Sequence, residues 1–204
     1  MSDAIKPGLA ADALLALLAP LGGVKDEADR WGLTVRVPAA RLVEAMTLLR
    51  DEATARFDQL LDVAGIDYLS FPDWSGPRFA VSYPLKSTVF RHRVTLKVQV
   101  EEETPAVPSV HTLYASANWA ERECWDQYGI VFTGHPNLKR LLNHHEFIGH
   151  PLRKDYPCQK RQKLSLNDPM VDQLAAKLTS LGYQVLETPA ASAGLPLTGK
   201  GAVS

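Results

Sequence analysis

A chain of 204 residues, 46% hydrophobic and 22% charged with a formal net charge of -1, has the makeup of a globular protein large enough to bury a substantial core. That balance gives no electrostatic reason for a nucleic acid or an anionic membrane as partner, and no apolar run approaches the roughly 20 residues with which a helix crosses a bilayer. The two cysteines, Cys124 and Cys158, form no C-x-x-C pair, do not fit a disulfide-built secreted scaffold, and cannot by themselves complete the thiolate set of an iron-sulfur cluster.

In chain order, Leu9 to Ala19 reads as a helix rich in Ala and Leu, ended by Pro20 and the Gly22-Gly23 pair, and serves either as a core helix or as a docking element. Leu33, Val35 and Val37 alternate with polar residues, which predicts a strand over Trp31 to Val37. From Pro38 to about Arg50 the pattern is helical, with Leu42, Val43, Met46 and Leu49 as the apolar stripe. Phe57 to Val63 fits a helix or an irregular packed segment. Ile66 to Ser70 and Phe79 to Tyr83 read as strands, and Pro84 to Thr88 as a turn. Phe90 to Val100 carries the clearest alternation, with Phe90, His92, Val94, Leu96, Val98 and Val100 on one side and Arg91, Arg93, Thr95, Lys97 and Gln99 on the other. That second, basic side meets either water or an acidic partner. Glu101-Glu102-Glu103, Pro105 and Pro108 make a loop before a brief strand at Val110 to Tyr114.

From Trp119 to Pro157, charged and aromatic residues are interleaved too closely to sort into core and exterior. Asn118 as N-cap, with Glu121 at the third helical position, gives a capping-box variant. The helix should run to about Tyr128, where Gly129 ends it. Ala120, Cys124 and Tyr128 share the inward face with Trp125 at its edge, while Trp119, Arg122, Glu123 and Asp126 cluster opposite, with Arg122 and Asp126 spaced to pair. Gly134-His135-Pro136 makes a turn, and Pro136 opens a short helix to Leu142. Gly149-His150-Pro151 makes another turn, leading into Leu152 to Pro157, which Pro157 keeps extended. Beyond it, Asp168 caps a helix with Pro169 in first position and a stripe of Val171, Leu174, Ala175, Leu178 and Leu181. Gly182 stops that helix, and Tyr183 to Leu186 forms a short strand or extended contact. Residues 188–204 are rich in Ala, Gly, Ser and Pro, a composition that favours a flexible tail.

The elements define an α+β fold, a two-layer domain with helices packed on a mixed β-sheet, followed by a C-terminal extension containing a short helix. The expected organisation is an N-terminal helix and linker over 1–29, the α+β domain with its docking segment over 30–157, a helical extension over 158–187, and the tail. Four of the six histidines, His135, His144, His145 and His150, fall in one stretch, but their spacing matches no metal motif, and His135 and His150 sit between Gly and Pro as turn residues. Cys124 reads as a packed side chain rather than a nucleophile. No dinucleotide or phosphate-loop glycine pattern is present. No catalytic, cofactor-binding or metal residue is therefore expected.

The run E-R-E-x-x-D-x-Y-G-I-x-F-x-G-H-P-x-L-x-R-L-L from Glu121 to Leu142, followed by G-H-P-L-R-K-D-Y-P to Pro157, resembles the signature of the 30 kDa subunit family of respiratory complex I, whose bacterial members are the C subunits of NADH:quinone oxidoreductase. Phe57-Asp58-Gln59-Leu60, Gly65 to Leu69, Arg78 to Tyr83 and Pro108-Ser109-Val110 extend the resemblance over about residues 30–157. The resemblance implies a non-catalytic peripheral-arm subunit. NADH, FMN, iron-sulfur clusters and quinone, ubiquinone for example, would belong to partner subunits, and none to this chain. Its neighbours would be the large quinone-site subunit and the small cluster-bearing subunit, among other complex I subunits. It would lie on the cytoplasmic side of the bacterial inner membrane, peripheral through the assembled proton translocase. The equivalent subunit of a membrane-bound hydrogenase or of a related quinone oxidoreductase, an autonomous interaction protein and an autonomous enzyme are the alternatives. The expected interface comprises Trp119, Glu121, Arg122, Glu123, Trp125, Asp126, His135, Arg140, His150, Arg153, Lys154, Asp155 and Tyr156, mixing ionic groups with aromatic anchors.

Overall fold

The computed structural model describes residues 8–27, 32–157, 162 and 169–182. Trp31, Cys158, Asp168 and the Tyr183 to Leu186 element expected from the sequence lie outside the described residues. Packing divides the chain into two units, Met1–Gln162 and Lys163–Ser204.

In the first unit, helix α1 (Ala11–Leu18) tightens into a 3-10 turn at Ala19–Leu21, and Gly22 ends it with a left-handed φ of 78°. Leu14, Leu18 and Leu21 are buried in the main core, so this is a core helix. Strand β1 (Val24–Lys25) runs antiparallel to β2 (Thr34–Arg36). Helix α2 (Leu42–Asp51) follows a 3-10 turn and buries Leu42, Ala45, Met46 and Leu49, while the expected stripe member Val43 is 36% exposed.

Strands β3 (Gln59–Leu60) and β4 (Ala64–Asp67) both pair antiparallel with β5 (Phe79–Lys86), and β5 pairs antiparallel with β6 (Arg93–Val100). Because β6 also takes β2 in parallel, with Val35 opposite Leu96, the six-stranded sheet is mixed. Val81, Tyr83, Leu85, Val94, Leu96 and Val98 bury one face of it against the helices, as their alternation requires. β7 (Ala106–Pro108) and β8 (Val131–Thr133) form a separate parallel pair, and α3 (Ala117–Tyr128) lies between them in sequence. The architecture is the two-layer α+β fold. In the second unit, α4 (Pro169–Ser180) exposes Leu174, and Leu181 in the turn after it is exposed as well. No helix of the described residues is long and apolar enough to cross a membrane.

Several boundaries differ from the sequence reading for local reasons. β6 starts at Arg93 because Phe90 to His92 are consumed by the β5–β6 turn, in which Arg91 adopts a φ of 57° and donates its N–H to Ser87 O at 2.9 Å. β5 continues through Pro84, where a turn was expected. Pro84 C=O accepts the Leu61 N–H at 2.9 Å, and its ring nitrogen points the same way, toward the break between β3 and β4, so the missing donor interrupts no ladder. Val110 to Tyr114 is a turn closed by Leu113 and Tyr114 N–H groups on Val110 O, both at 3.0 Å.

Candidate interaction site

Helix α3 and the irregular chain after β8 form one unit of structure. Gly129 ends α3 in the left-handed conformation (φ 76°), as the sequence predicts. The start differs, because Ser116 is the N-cap without a side-chain bond. Glu121 is instead fully buried and accepts hydrogen bonds from Val110 N–H at 2.7 Å and from the Ser109 hydroxyl, tying α3 to the turn after β7. Burial pushes the Glu121 carboxyl up, and the Ser109 and Val110 donors only partly offset it.

Asp126, expected on an outward face, is also fully buried. Its Oδ2 accepts three successive backbone N–H groups, Leu141 at 3.0 Å and Leu142 and Asn143 at 2.9 Å. Its Oδ1 accepts Arg140 Nη1 at 2.7 Å and Asn143 Nδ2 at 3.1 Å. Burial alone would raise this carboxyl, but the Asn143 amide, the Arg140 guanidinium and the Asn143 side chain hold it at about 2. The expected Arg122–Asp126 pair is therefore not formed. Arg122 donates to the carbonyls of Lys139 at 3.2 Å and Arg140 at 3.0 Å, with its guanidinium 5.7 Å from the Trp119 ring centre. These bonds draw residues 136–142 into turns around α3, and the short helix expected from Pro136 does not form.

Arg140 reaches further, giving Nη2–H to Phe147 O at 2.6 Å and Gly149 O at 3.1 Å while standing 5.7 Å from the Trp125 ring centre. His150 Nδ1–H donates to Asp126 O at 3.0 Å, since a carbonyl can only accept, and burial pushes its pKa down. His135 accepts Asn137 N–H on Nδ1 at 3.1 Å, so Nε2 carries the proton it shares with Asn118 O at 3.0 Å. Both histidines are turn fasteners.

Leu152 to Pro157, expected to be extended, is a succession of turns, with Arg153 N–H on His150 O at 3.2 Å and Tyr156 N–H on Arg153 O at 3.0 Å. What bends it is a node that the sequence reading missed. Asp67 at the end of β4 takes Arg78 Nη2 at 3.1 Å and Lys154 N–H at 2.8 Å, and Arg78 also holds Asp155 at 2.7 Å. Arg78 is raised by Asp67 first and then by Asp155, and Asp155 is lowered by Arg78. Arg153 donates Nε–H to Tyr128 O at 2.6 Å, and both Arg78 and Arg153 cover the Phe79 ring, at 4.8 and 5.1 Å. A Cβ on Gly129 would lie 2.6 Å from Arg153 Nη2 and from His150 Nε2. The Tyr156 hydroxyl accepts Gln162 Nε2–H at 2.8 Å.

Of the expected interface residues, Glu121 and Asp126 are thus enclosed, while Arg122, Trp125, His135, Arg140, His150, Arg153 and Tyr156 are partly buried. Trp119, Glu123, Lys154 and Asp155 face solvent. Exposed apolar residues lie among them: Trp119 at 66%, Leu142 at 64%, Ile148 at 73% and Leu152 at 51%. The last three were not singled out from the sequence, where single Leu or Ile residues in a loop resemble any other core candidate. Against β4, α3 packs so closely that a Cβ on Gly65 would lie 2.5 Å from Tyr128 Cδ2 and 3.0 Å from Cys124 Sγ. Burial pushes the Cys124 thiol well up, which removes it as a nucleophile.

A small mixed sheet, a signature helix and an internally bonded loop define a complex I subunit of the 30 kDa class, and residues 35–162 match the family model of the respiratory-chain NADH dehydrogenase 30 kDa subunit. The chain belongs to that family. Among its relatives, the C subunit of the NADH-quinone oxidoreductase of Caulobacter vibrioides is 46% identical over 155 residues, covering 76% of each chain. The same subunit of the Acidithiobacillus ferrooxidans enzyme is 47% identical over 131 residues, 63% of this chain, and the chain spans 65% of that relative's length. The trypsin-resistant fragment of Nqo5 superposes with a TM-score of 0.53 at 34% identity, covering 62% of this chain and 98% of that one. An archaeal membrane-bound sulfane sulfur reductase contains a chain alike in fold, with a TM-score of 0.57 at 18% identity over 87% of this chain and 95% of that one.

Proposed function

We propose that this chain is a peripheral-arm subunit of a proton-translocating NADH:quinone oxidoreductase and carries no catalytic centre of its own. The observation that carries this reading is the 46% identity with the Caulobacter vibrioides oxidoreductase protein across three quarters of both chains. FMN, the iron-sulfur clusters, NADH and quinone belong, on this reading, to partner subunits. The large quinone-site subunit and the small cluster-bearing subunit are its neighbours, on the cytoplasmic side of the bacterial inner membrane, with the chain peripheral through the complex.

The site's geometry supports a bracing role. Its buried ionic groups are bonded within the chain and hold the shape of residues 134–157, while Trp119, Leu142, Ile148 and Leu152 are left outward as apolar anchors. Asp126, Arg140 and Arg153 then serve docking by fixing that shape, and Glu121 by tying α3 to the turn after β7. Glu123, Lys154 and Asp155 supply a polar rim.

Purification of the native complex through a tag on this chain, followed by mass spectrometry, tests the reading. Copurification of a large quinone-site subunit and a small cluster-bearing subunit is expected, and the isolated chain should show neither flavin nor iron-sulfur absorbance. A monomer in native extracts would overturn it. Recovery of nickel-iron hydrogenase subunits would favour the hydrogenase alternative.

A further inference from the structure

The sheet face turned away from the helices has its own charge pattern. Strand register places Arg36 beside Lys97 across β2–β6, Val24 opposite Arg36 across β1–β2, and Lys86 opposite Arg93 across β5–β6. Lys97 is matched by Asp26 at 2.8 Å. Among the described residues Arg36, Lys86 and Arg93 have no carboxylate partner. Arg36 Nε is also shut off from solvent without a hydrogen-bond acceptor, one of only three such buried side-chain atoms among the described residues.

Buried donors in folded proteins are overwhelmingly paired, and an orphaned guanidinium N–H calls for a specific cause. Arg36 borders a recess of about 290 Å³ whose other walls are Gly22, Val24, Val37, Pro38 and Gln99. Among the described residues the walls bring no carboxylate, and the Gln99 amide adds another donor. Such a socket lacks a planar anionic acceptor, which a guanidinium binds with charge-assisted bonds. Arg93 lies four residues along β6 from Lys97, on the same side, about 13 Å away at strand rise. An occupant carrying several acidic residues would therefore meet more than one cation.

We infer that this recess receives an Asp or Glu side chain from an acidic segment of a neighbouring protein subunit, with Arg36 as its anchor and Lys86 and Arg93 along its path. The inference rests on the complex-subunit reading only for where the partner is sought. It concerns the sheet face opposite the helices, away from the α3 anchors. Charge complementarity favours an acidic peptide, and the Val24 side chain, 56% exposed at the rim, gives such a segment an apolar contact.

Two measurements on the full chain test it. With a photo-crosslinking amino acid in place of Val24, irradiation of the native assembly should capture a peptide of another subunit that contains Asp or Glu. Arg36→Met keeps the apolar stem and removes the unpaired donor. It should leave the thermal midpoint of the isolated full chain unchanged or higher, yet speed the chain's dissociation from the assembly about tenfold to a hundredfold. Capture of lipid, of this chain alone or of a peptide without carboxylates would overturn the socket, as would unaltered retention of the Arg36→Met chain. An intact oxidoreductase in which position 24 captures nothing sinks the socket and spares the assignment of function. An acidic peptide captured in extracts where no oxidoreductase partner is recovered does the reverse.

Discussion

Two buried carboxylates on α3 have opposite electrostatic fates, and the difference is measurable. Asp126 is held near 2, below its ordinary 3.8, so its contribution to stability is complete above the unfolded value and is lost as pH falls toward 2. Asp126→Asn keeps an oxygen for the Leu141, Leu142 and Asn143 amides but turns an NH2 toward Arg140 and the Asn143 side chain. It should cost about 2 to 4 kcal/mol at neutral pH. In urea titrations the gap from the wild-type chain should narrow as the buffer is taken from pH 5 to pH 2, and a constant gap would contradict the assignment. Glu121 is raised above 4.5, so the stability it adds belongs to its protonated form and is lost as pH rises through the folded value. Glu121→Gln should therefore gain in thermal midpoint over the wild-type chain as pH rises. Glu121→Ala, which removes the acceptor for Val110 N–H, should be weaker at every pH.

At the scale of elements, residues 134–157 are pinned to the domain by Asp126, by Arg153 on the end of α3 and by the Asp67–Arg78–Asp155 node. Gly129→Ala would combine an unfavourable left-handed backbone with a Cβ 2.6 Å from His150 and Arg153. Limited proteolysis of that variant should cut between residues 134 and 157 several-fold faster than in the parent chain, while the sheet and α2 stay protected. Arg153→Ala should lower the isolated chain's stability by about 1 to 3 kcal/mol, through the lost bond to Tyr128 O and the lost cover of Phe79. Leu152→Ser, at a residue 51% exposed, should leave stability within about 0.5 kcal/mol and weaken only assembly. Identical behaviour of these two variants would argue against a brace with separate inner and outer residues. The sequence shows β6 and the Gly129 stop plainly, because alternation and a helix-ending glycine are local signals. It hides the loop, whose shape follows from Asp126 meeting backbone amides 15 to 17 residues later and Asp67 meeting Lys154 87 residues later. No periodicity encodes such pairings. The same absence made Asp126 look like a solvated partner for Arg122.

For the molecule as a whole, every described residue of the main core cluster lies between Leu9 and Leu138, inside the first unit. A chain ended after Gln162 should therefore unfold with a urea midpoint close to that of the full chain, read by circular dichroism. A large loss would place part of the stabilising core beyond that point. The thiol clamped between α3 and β4 offers a clock on the same body. With Cys158→Ser as background, Cys124 at 3% exposure should react with a maleimide only when the helix lifts from the strand beneath it, so the labelling rate counts those excursions. A bound neighbour that presses on α3 would slow the clock. That converts one enclosed thiol into the chain's own gauge of assembly.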